Sequence, residues 1–176
     1  FLGLSLTSNA QQLDSAKRVL LDEKLAEYTA AIEREGVQVQ KEECDFLIGS
    51  STDSLVRQYV ALRLYDHYVS SRVMGAEAVA IHIFDTWFLP GIVKMGSDMD
   101  LMTARVYADF NRQSLIGEKA PELVGESLDG SQVALFTDAD KSGRYRVLFF
   151  YDADCAKCKL ESIMLSNVLE TEDFPI

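Results

Sequence analysis

Two cysteines with two residues between them, Cys155 and Cys158, lie between an apolar run and a stretch with helical periodicity. The apolar run at 147–151 reads VLFFY, and the stretch at 159–169 places its apolar residues three and four apart. An unbroken apolar run suits a strand that is covered on both faces. A CxxC pair between such a strand and a helix is typical of thiol and disulfide exchange. The pattern therefore predicts a buried strand that leads into a redox helix.

The two cysteines suit a bond that opens and closes better than a structural crosslink. A disulfide across so short a loop removes only about 1.9 kcal/mol of chain entropy from the unfolded state. We assign Cys155 as the nucleophile at the helix start and Cys158 as the resolving thiol one turn inside. A zinc half-site and a pair of ordinary thiols remain alternatives, although Cys44, His67 and His82 do not supply further zinc ligands by their spacing. No metal and no cofactor is predicted.

Charges next to the pair act on Cys155 in opposite directions. Lys157, Lys159 and the helix dipole favour the thiolate, whereas Asp152 and Asp154 oppose it. We therefore expect Cys155 to be mildly acidified and the couple to lie toward the reducing end of its class.

Composition limits the partners of the chain. Its 176 residues are 48% hydrophobic, which is enough for one substantial core or two small ones. The net charge of −11 comes without a cluster of basic residues. This argues against nucleic acid and anionic membrane surfaces as partners, since both require clustered Lys or Arg. No apolar run approaches the ~18 residues of a membrane span.

Residues 1–113 have the periodicity of an α-helical domain. The predicted helices cover about 12–35, 53–70, 76–88 and 100–113. Gly36 is a plausible stop for the first, Asp53 an N-cap for the second, and Pro90 ends the third. In the fourth, the apolar residues recur at steps of four, at Met102, Val106 and Phe110.

The helical periodicity ends near residue 113, and the pattern of residues 114–176 predicts a mixed α/β part. Segments 122–127 and 131–136 form a hairpin around Asp129-Gly130, which supplies the positive φ angles of a tight turn. A polar loop at 138–143 then leads to the strand at 146–151. The helix that follows keeps four apolar residues on one side: Leu160, Ile163, Met164 and Val168.

Other candidate residues have simpler interpretations. His67 and His82 lie on apolar helices, where we expect packed or hydrogen-bonded core histidines rather than catalytic ones. Cys44 is interpreted as a small, semi-buried hydrophobe, and Glu161 as an exposed carboxylate rather than a proton relay to Cys158. An aromatic set could line a pocket, but core packing is the better interpretation: Tyr59, Tyr65, Tyr68, Phe84, Trp87 and Phe88.

Several of these motifs together resemble a known family. They are GEKAP at 117–121, the Asp129-Gly130 hairpin, VLFFY, and CxxC followed by Glu161. The combination resembles the opening of a thioredoxin-like domain of the TlpA and ResA type. DADCAKC at 152–158 departs from the usual Trp-Cys-x-Pro-Cys and is closer to an Asp-rich variant in envelope thiol-disulfide oxidoreductases of Bacteroidetes. VMGAEAV at 73–79 is similar to the helical domain of unknown function that precedes the thioredoxin module in those proteins.

The resemblance implies a fold of class α plus α/β, with a helical domain at 1–113 and the first part of a thioredoxin-like domain at 114–176. It implies disulfide reduction or isomerisation through Cys155 and Cys158, in the periplasm or cell envelope. Protein thiols or disulfides would be the substrates, and a thiol compound the electron donor. Such domains continue with a cis-proline loop that Pro175 comes too early to supply, so we expect the chain to be a fragment. The alternative function is a non-catalytic helical interaction module with a redox-inert thioredoxin-like remnant.

Overall fold

The structure is a computed structural model that describes residues 13–134 and 147–171. The chain forms two compact units, one that ends at Pro121 and one that begins at Glu122. The described residues are mostly helical, with one small sheet of two antiparallel strands. This agrees with the predicted combination of α and β structure. The predicted domain boundary at 113 and 114 lies within the first unit.

The first unit is built from helices. They are α1 Ser15–Ile32, α2 Val37–Ser50, α3 Ser54–Ser70, α4 Ala76–Ile83 and α5 Asp98–Asn111. A π-helical turn, Phe84–Phe88, continues α4, and a 3-10 turn, Arg112–Ser114, continues α5. Helices α3 and α4 lie at the centre, since both pack against α2 and against each other.

The start of α3 follows from its sequence. The Asp53 carboxylate accepts hydrogen bonds from the backbone N–H groups of Leu55 at 2.8 Å and Val56 at 3.3 Å. These two donors would otherwise have no partner within the helix, so the carboxylate fixes where the helix begins. The predicted N-cap at Asp53 is thus confirmed.

Helix α2 is absent from the predicted helices, in which Gly36 serves only as the end of the first helix. Helix α1 ends at Ile32, and Gly36 is the N-cap of α2, with φ −61° and ψ 151°. The side chain of Gln40 holds the connection by donating to the carbonyl of Glu35 at 2.7 Å. The buried residues of α2 are Gln40, Cys44 and Ile48. Since only one of the three is aliphatic, the hydrophobic periodicity on which the prediction relied is weak.

The core forms where α2, α3, α4 and the π-turn meet. Its largest fully buried side chains include Phe84, Phe88, Ile48 and Leu64. The rings of Tyr65 and Phe88 meet edge to face with centroids 5.8 Å apart, an arrangement that aromatic pairs favour. Of the predicted aromatic set, Tyr65, Tyr68, Phe84 and Phe88 are buried, so core packing is confirmed for these four.

The two histidines differ in their environments. His82 is half-buried, and its Nε2 lies 2.8 Å from the Asp45 carboxylate, which also accepts the indole N–H of Trp87 at 2.7 Å. The prediction of a hydrogen-bonded histidine is therefore confirmed for His82. It is wrong for His67, which is exposed; its ring meets the Tyr68 ring edge to face with centroids 5.0 Å apart.

Helix α5 presents a different face to the core from the one predicted. Met102, Val106 and Phe110 are 63%, 60% and 84% exposed, whereas Ala104 and Ala108 are buried. The small side chains allow α5 to approach the π-turn closely. Arg112, just after α5, donates two hydrogen bonds to the Asp85 carboxylate in the π-turn, at 2.6 and 2.7 Å. This bidentate pair fixes the end of α5 so that the face with Ala104 and Ala108 is turned to the core.

The second unit contains the predicted hairpin. Strand β1 Val124–Glu126 pairs with β2 Gln132–Ala134, with Gly125 opposite Val133. The backbone N–H of Gly130 bonds to the carbonyl of Ser127 at 2.9 Å, and Gly130 alone in the turn has a positive φ, of 82°. The loop is thus a three-residue turn closed by a left-handed glycine, not a turn with two positive φ angles. The predicted loop at 138–143 and the strand residue at 146 lie outside the described residues.

The predicted buried strand at 147–151 is wrong. These residues form no regular strand, and Phe150 and Tyr151 are 78% and 65% exposed. A strand requires a neighbour for its backbone hydrogen bonds, and in the described part of this unit the two hairpin strands pair only with each other. Helix α6, Ala156–Thr171, follows as predicted. Its four apolar residues at 160, 163, 164 and 168 are all exposed.

Candidate redox site

The turn before α6 is organised by Asp152. Its carboxylate accepts the backbone N–H of Asp154 at 2.9 Å, and its backbone carbonyl accepts the N–H of Cys155 at 3.2 Å. Aspartate commonly closes such turns, because its short side chain reaches the backbone two residues on. In the sequence alone, Asp152 is interpreted only as a charge near Cys155. The signal that could have revealed its role was the position of an aspartate just before the predicted helix start.

Cys155 occupies the N-cap position of α6. Its carbonyl accepts the N–H of Lys159 at 3.1 Å, the first hydrogen bond of the helix. Its Sγ accepts the N–H of Cys158 at 3.3 Å. A serine or threonine oxygen normally accepts this third-residue N–H at a helix start. The sulfur of Cys155 thus takes the place of a capping oxygen, and the cap itself brings the two cysteines together.

Hydrogen bonds at this cap stabilise the thiolate of Cys155. Both cysteines are free thiols and both are half-buried. The pKa of Cys155 is lowered, first by the side chain of Cys158, then by the backbone N–H of Cys158, and to a smaller extent by the backbone N–H of Lys157, while desolvation acts in the opposite direction. The direction agrees with the expected acidification. Its leading cause is hydrogen bonding to the sulfur, whereas the expectation rests on the charges of the lysines and aspartates and on the helix dipole.

Cys44, in the first unit, has the opposite environment. It is fully buried in α2, and burial raises the pKa of its thiol to about 12. A thiol that stays protonated is a poor nucleophile and a poor metal ligand. Cys44 is thus more deeply buried than the semi-buried residue we expected, and it belongs to the core.

The remaining candidates lie in different parts of the chain. Glu161 is exposed on α6, and His67 and His82 belong to the first unit. Within residues 13–134 and 147–171, no three His, Cys, Asp or Glu side chains are grouped so that they could hold a metal ion. None of the helices described has the length and apolar character needed to cross a membrane.

Comparison of the chain with models of known families, with curated proteins and with solved structures found no match.

Proposed function

We propose that this protein is a thiol-disulfide oxidoreductase in which Cys155 is the nucleophile and Cys158 the resolving thiol. The observation that carries the proposal is the cap of α6. The thiol of Cys155 is free and partly accessible, and its pKa is lowered. Its sulfur accepts the backbone N–H of Cys158, whose own thiol would resolve the mixed disulfide. Inert structural cysteines are instead buried with raised pKa values, as Cys44 is.

The reaction would proceed in two exchanges. The Cys155 thiolate attacks one sulfur of a substrate disulfide, the substrate S–S bond breaks, and the leaving sulfur departs as a thiolate that takes up a proton. Cys158 then loses its proton and attacks Cys155 Sγ. This step releases the second substrate thiol and leaves a disulfide between Cys155 and Cys158. A thiol compound restores the pair by supplying two electrons and two protons.

The geometry of the helix start supports this order of roles. Cys155 precedes the first helical residue, and its sulfur receives hydrogen bonds that stabilise negative charge. Cys158 lies one turn inside α6, and its backbone and side chain supply those bonds. Residues three apart on a helix are neighbours, so a bond between the two sulfurs requires little movement.

We also assign the second unit to the thioredoxin-like class of the TlpA and ResA type, with protein disulfides as substrates in the periplasm or cell envelope. The support is the order of its parts: a hairpin, an apolar segment, CxxC and a helix. The reducing or isomerising direction rests on the resemblance in sequence.

Thiol release from dithionitrobenzoate, an aromatic disulfide with a coloured thiolate product, tests the roles of the two cysteines. With the reagent limiting, the wild-type protein should release both of its aromatic thiolates, because Cys158 resolves the adduct on Cys155. Cys158→Ser should release only the first and keep the second as a stable adduct on Cys155, visible by mass spectrometry. Cys155→Ser should react slowly. A stable adduct on Cys158 in the wild type, or equal reactivity of Cys155→Ser, would refute the assignment.

A matched pair of variants at position 158 tests the cause of the lowered pKa. Cys158→Ala removes the side-chain donor but keeps the backbone N–H, so the pKa of Cys155 should rise. Cys158→Ser keeps a hydroxyl donor, so its effect should be smaller. The rate of alkylation of Cys155 as a function of pH measures both values, and equal pKa values in the two variants would contradict the proposed cause.

One observation supports the alternative, a helical interaction module with a redox-inert second unit. Helix α5 exposes four apolar side chains along one stripe: Met99, Met102, Val106 and Phe110. Stripes of this kind are common on helices that bind partners. Insulin reduction separates the two functions. Activity that is lost in Cys155→Ser supports the oxidoreductase, and absence of activity in both proteins supports the module.

A further inference from the structure

A cavity of about 470 Å³ lies between α3 and α5 in the first unit. Its volume is in the range of about 300–1,000 Å³ that is typical of small-molecule sites. Apolar walls come from Leu62 and Val69 on α3, from Met95 in the connection, and from Ala104 on α5. Polar groups lie among them: Tyr65, Asp66, Asp100, Thr103 and Tyr107. The cavity thus combines apolar walls with a small number of hydrogen-bonding groups.

Tyr65 is the unusual member of this lining. It is only 7% exposed, yet its hydroxyl has no hydrogen-bond partner among the residues that the structure describes. Burial raises the pKa of Tyr65 to about 12, with smaller contributions from Tyr107 and Asp66. The hydroxyl oxygen itself is not closed off, since every buried side-chain nitrogen and oxygen in the part of the chain that the structure describes has a partner, so it opens into the cavity that Tyr65 lines. Tyr65 therefore presents a neutral, unpartnered hydroxyl to the cavity, close to a second phenol and a carboxylate.

The polar part of the lining favours positive charge. It contains two carboxylates, Asp66 and Asp100, and no Lys, Arg or His. Asp66 has no ion pair within residues 13–134 and 147–171. One oxygen of Asp100 accepts the hydroxyl of Ser97 at 2.8 Å. An anion would be repelled here, and a neutral apolar molecule would leave the Tyr65 hydroxyl without a partner.

We propose that this cavity binds a small organic ammonium compound with an apolar body. The ammonium group would donate to the Tyr65 hydroxyl and to the carboxylates, and the apolar body would pack on Leu62, Val69 and Met95. Aromatic rings add to this preference, since Tyr65 and Tyr107 both line the cavity and ring faces attract cations. The site lies in the helical unit and is independent of the cysteine pair.

Three probes with the same phenyl body and different heads test the proposal: phenethylammonium, phenethyl alcohol and hydrocinnamate. Titration calorimetry at neutral pH should detect phenethylammonium, with weaker binding of the alcohol and none of the carboxylate. Asp66→Asn and Tyr65→Phe should each weaken the binding of phenethylammonium by roughly fivefold, as expected for the loss of an ion pair with an exposed carboxylate and of a hydrogen bond. Asp98→Asn is the control for the loss of a carboxylate, since Asp98 is exposed like Asp66 but does not line the cavity.

Three outcomes would overturn the proposal. Binding of the alcohol as tight as that of the amine, or equal affinities of Asp66→Asn and Asp98→Asn, would overturn the proposal, as would no binding of phenethylammonium at millimolar concentration. Circular dichroism of each variant shows whether the helices remain folded. If Tyr65→Phe unfolds the protein, Asp66→Asn still decides the question, because Asp66 is exposed and carries no packing role.

Discussion

Replacing Ile48 by alanine tests the helix that the sequence pattern missed. Ile48 is fully buried on α2, so the change removes three buried carbons and leaves a cavity. At about 0.8 kcal/mol for each buried methylene-sized group, the transfer cost alone is about 2.4 kcal/mol. The cavity left behind adds to this cost, so we expect Ile48→Ala to lower the free energy of unfolding by about 2–5 kcal/mol. This is a large fraction of the total of about 5–15 kcal/mol that is typical of a folded domain.

Phe46 provides the matched control. It is larger than Ile48 and lies on the same helix, but it is 65% exposed. Phe46→Ala should therefore change the free energy of unfolding by no more than about 0.5 kcal/mol. Ile48→Val, which removes a single methyl group, should lie between the two at about 0.5–1.5 kcal/mol.

Urea unfolding followed by tryptophan fluorescence measures all three variants. Trp87 is the only tryptophan in the chain, and its indole N–H bonds to Asp45 on α2. The signal therefore reports the unfolding of the first unit, including the separation of α2 from the π-turn. If Phe46→Ala were as costly as Ile48→Ala, α2 would present the opposite face to the core, and our account of the core would be refuted.

Two further predictions concern the same unit. Gly49→Ala should raise the free energy of unfolding by about 0.5 kcal/mol, because alanine is the better helix former. The added Cβ would lie 3.5 Å from the Trp87 ring, which is an ordinary contact distance. A lower free energy of unfolding in the same urea titration would mean that the added carbon crowds the indole. The free energy of unfolding should also fall as the pH rises from about 9 toward 12. Burial raises the pKa of Cys44 to about 12, so this thiol stays neutral in the folded state while it ionises in the unfolded chain. Between pH 9 and 10, the free energy of unfolding should fall less in Cys44→Ala than in the wild type. An unchanged slope would mean that ionisation of Cys44 does not cause the fall.

Local signals made parts of the fold predictable. The α3 cap at Asp53, the turn at Gly130 and the start of α6 at the cysteine pair depend on residues within one turn of each other, so they can be recognised from short patterns. The turn that Asp152 closes before α6 belongs to the same class, since the carboxylate and the N–H that it accepts are two residues apart.

The errors arose where distant residues decide the result. Met102, Val106 and Phe110 have the spacing of a core face, but Ala104 and Ala108 have it too. The choice between the faces depends on the π-turn and on the pair formed by Arg112 with Asp85, which is 27 residues away in the chain. In the same way, an apolar run becomes a strand only where another strand is available to pair with it.

The contrast among the three cysteines shows how strongly local structure sets their chemistry. Cys44 and Cys155 carry the same side chain, yet burial raises the pKa of the first and hydrogen bonds at a helix start lower the pKa of the second. Cys44 lies in a closed core, so it can exchange with a disulfide only after the first unit opens locally. Exchange at neutral pH should therefore be confined to the first turn of α6. Alkylation followed by mass spectrometry should then label Cys155 in the folded protein, and Cys44 only in urea.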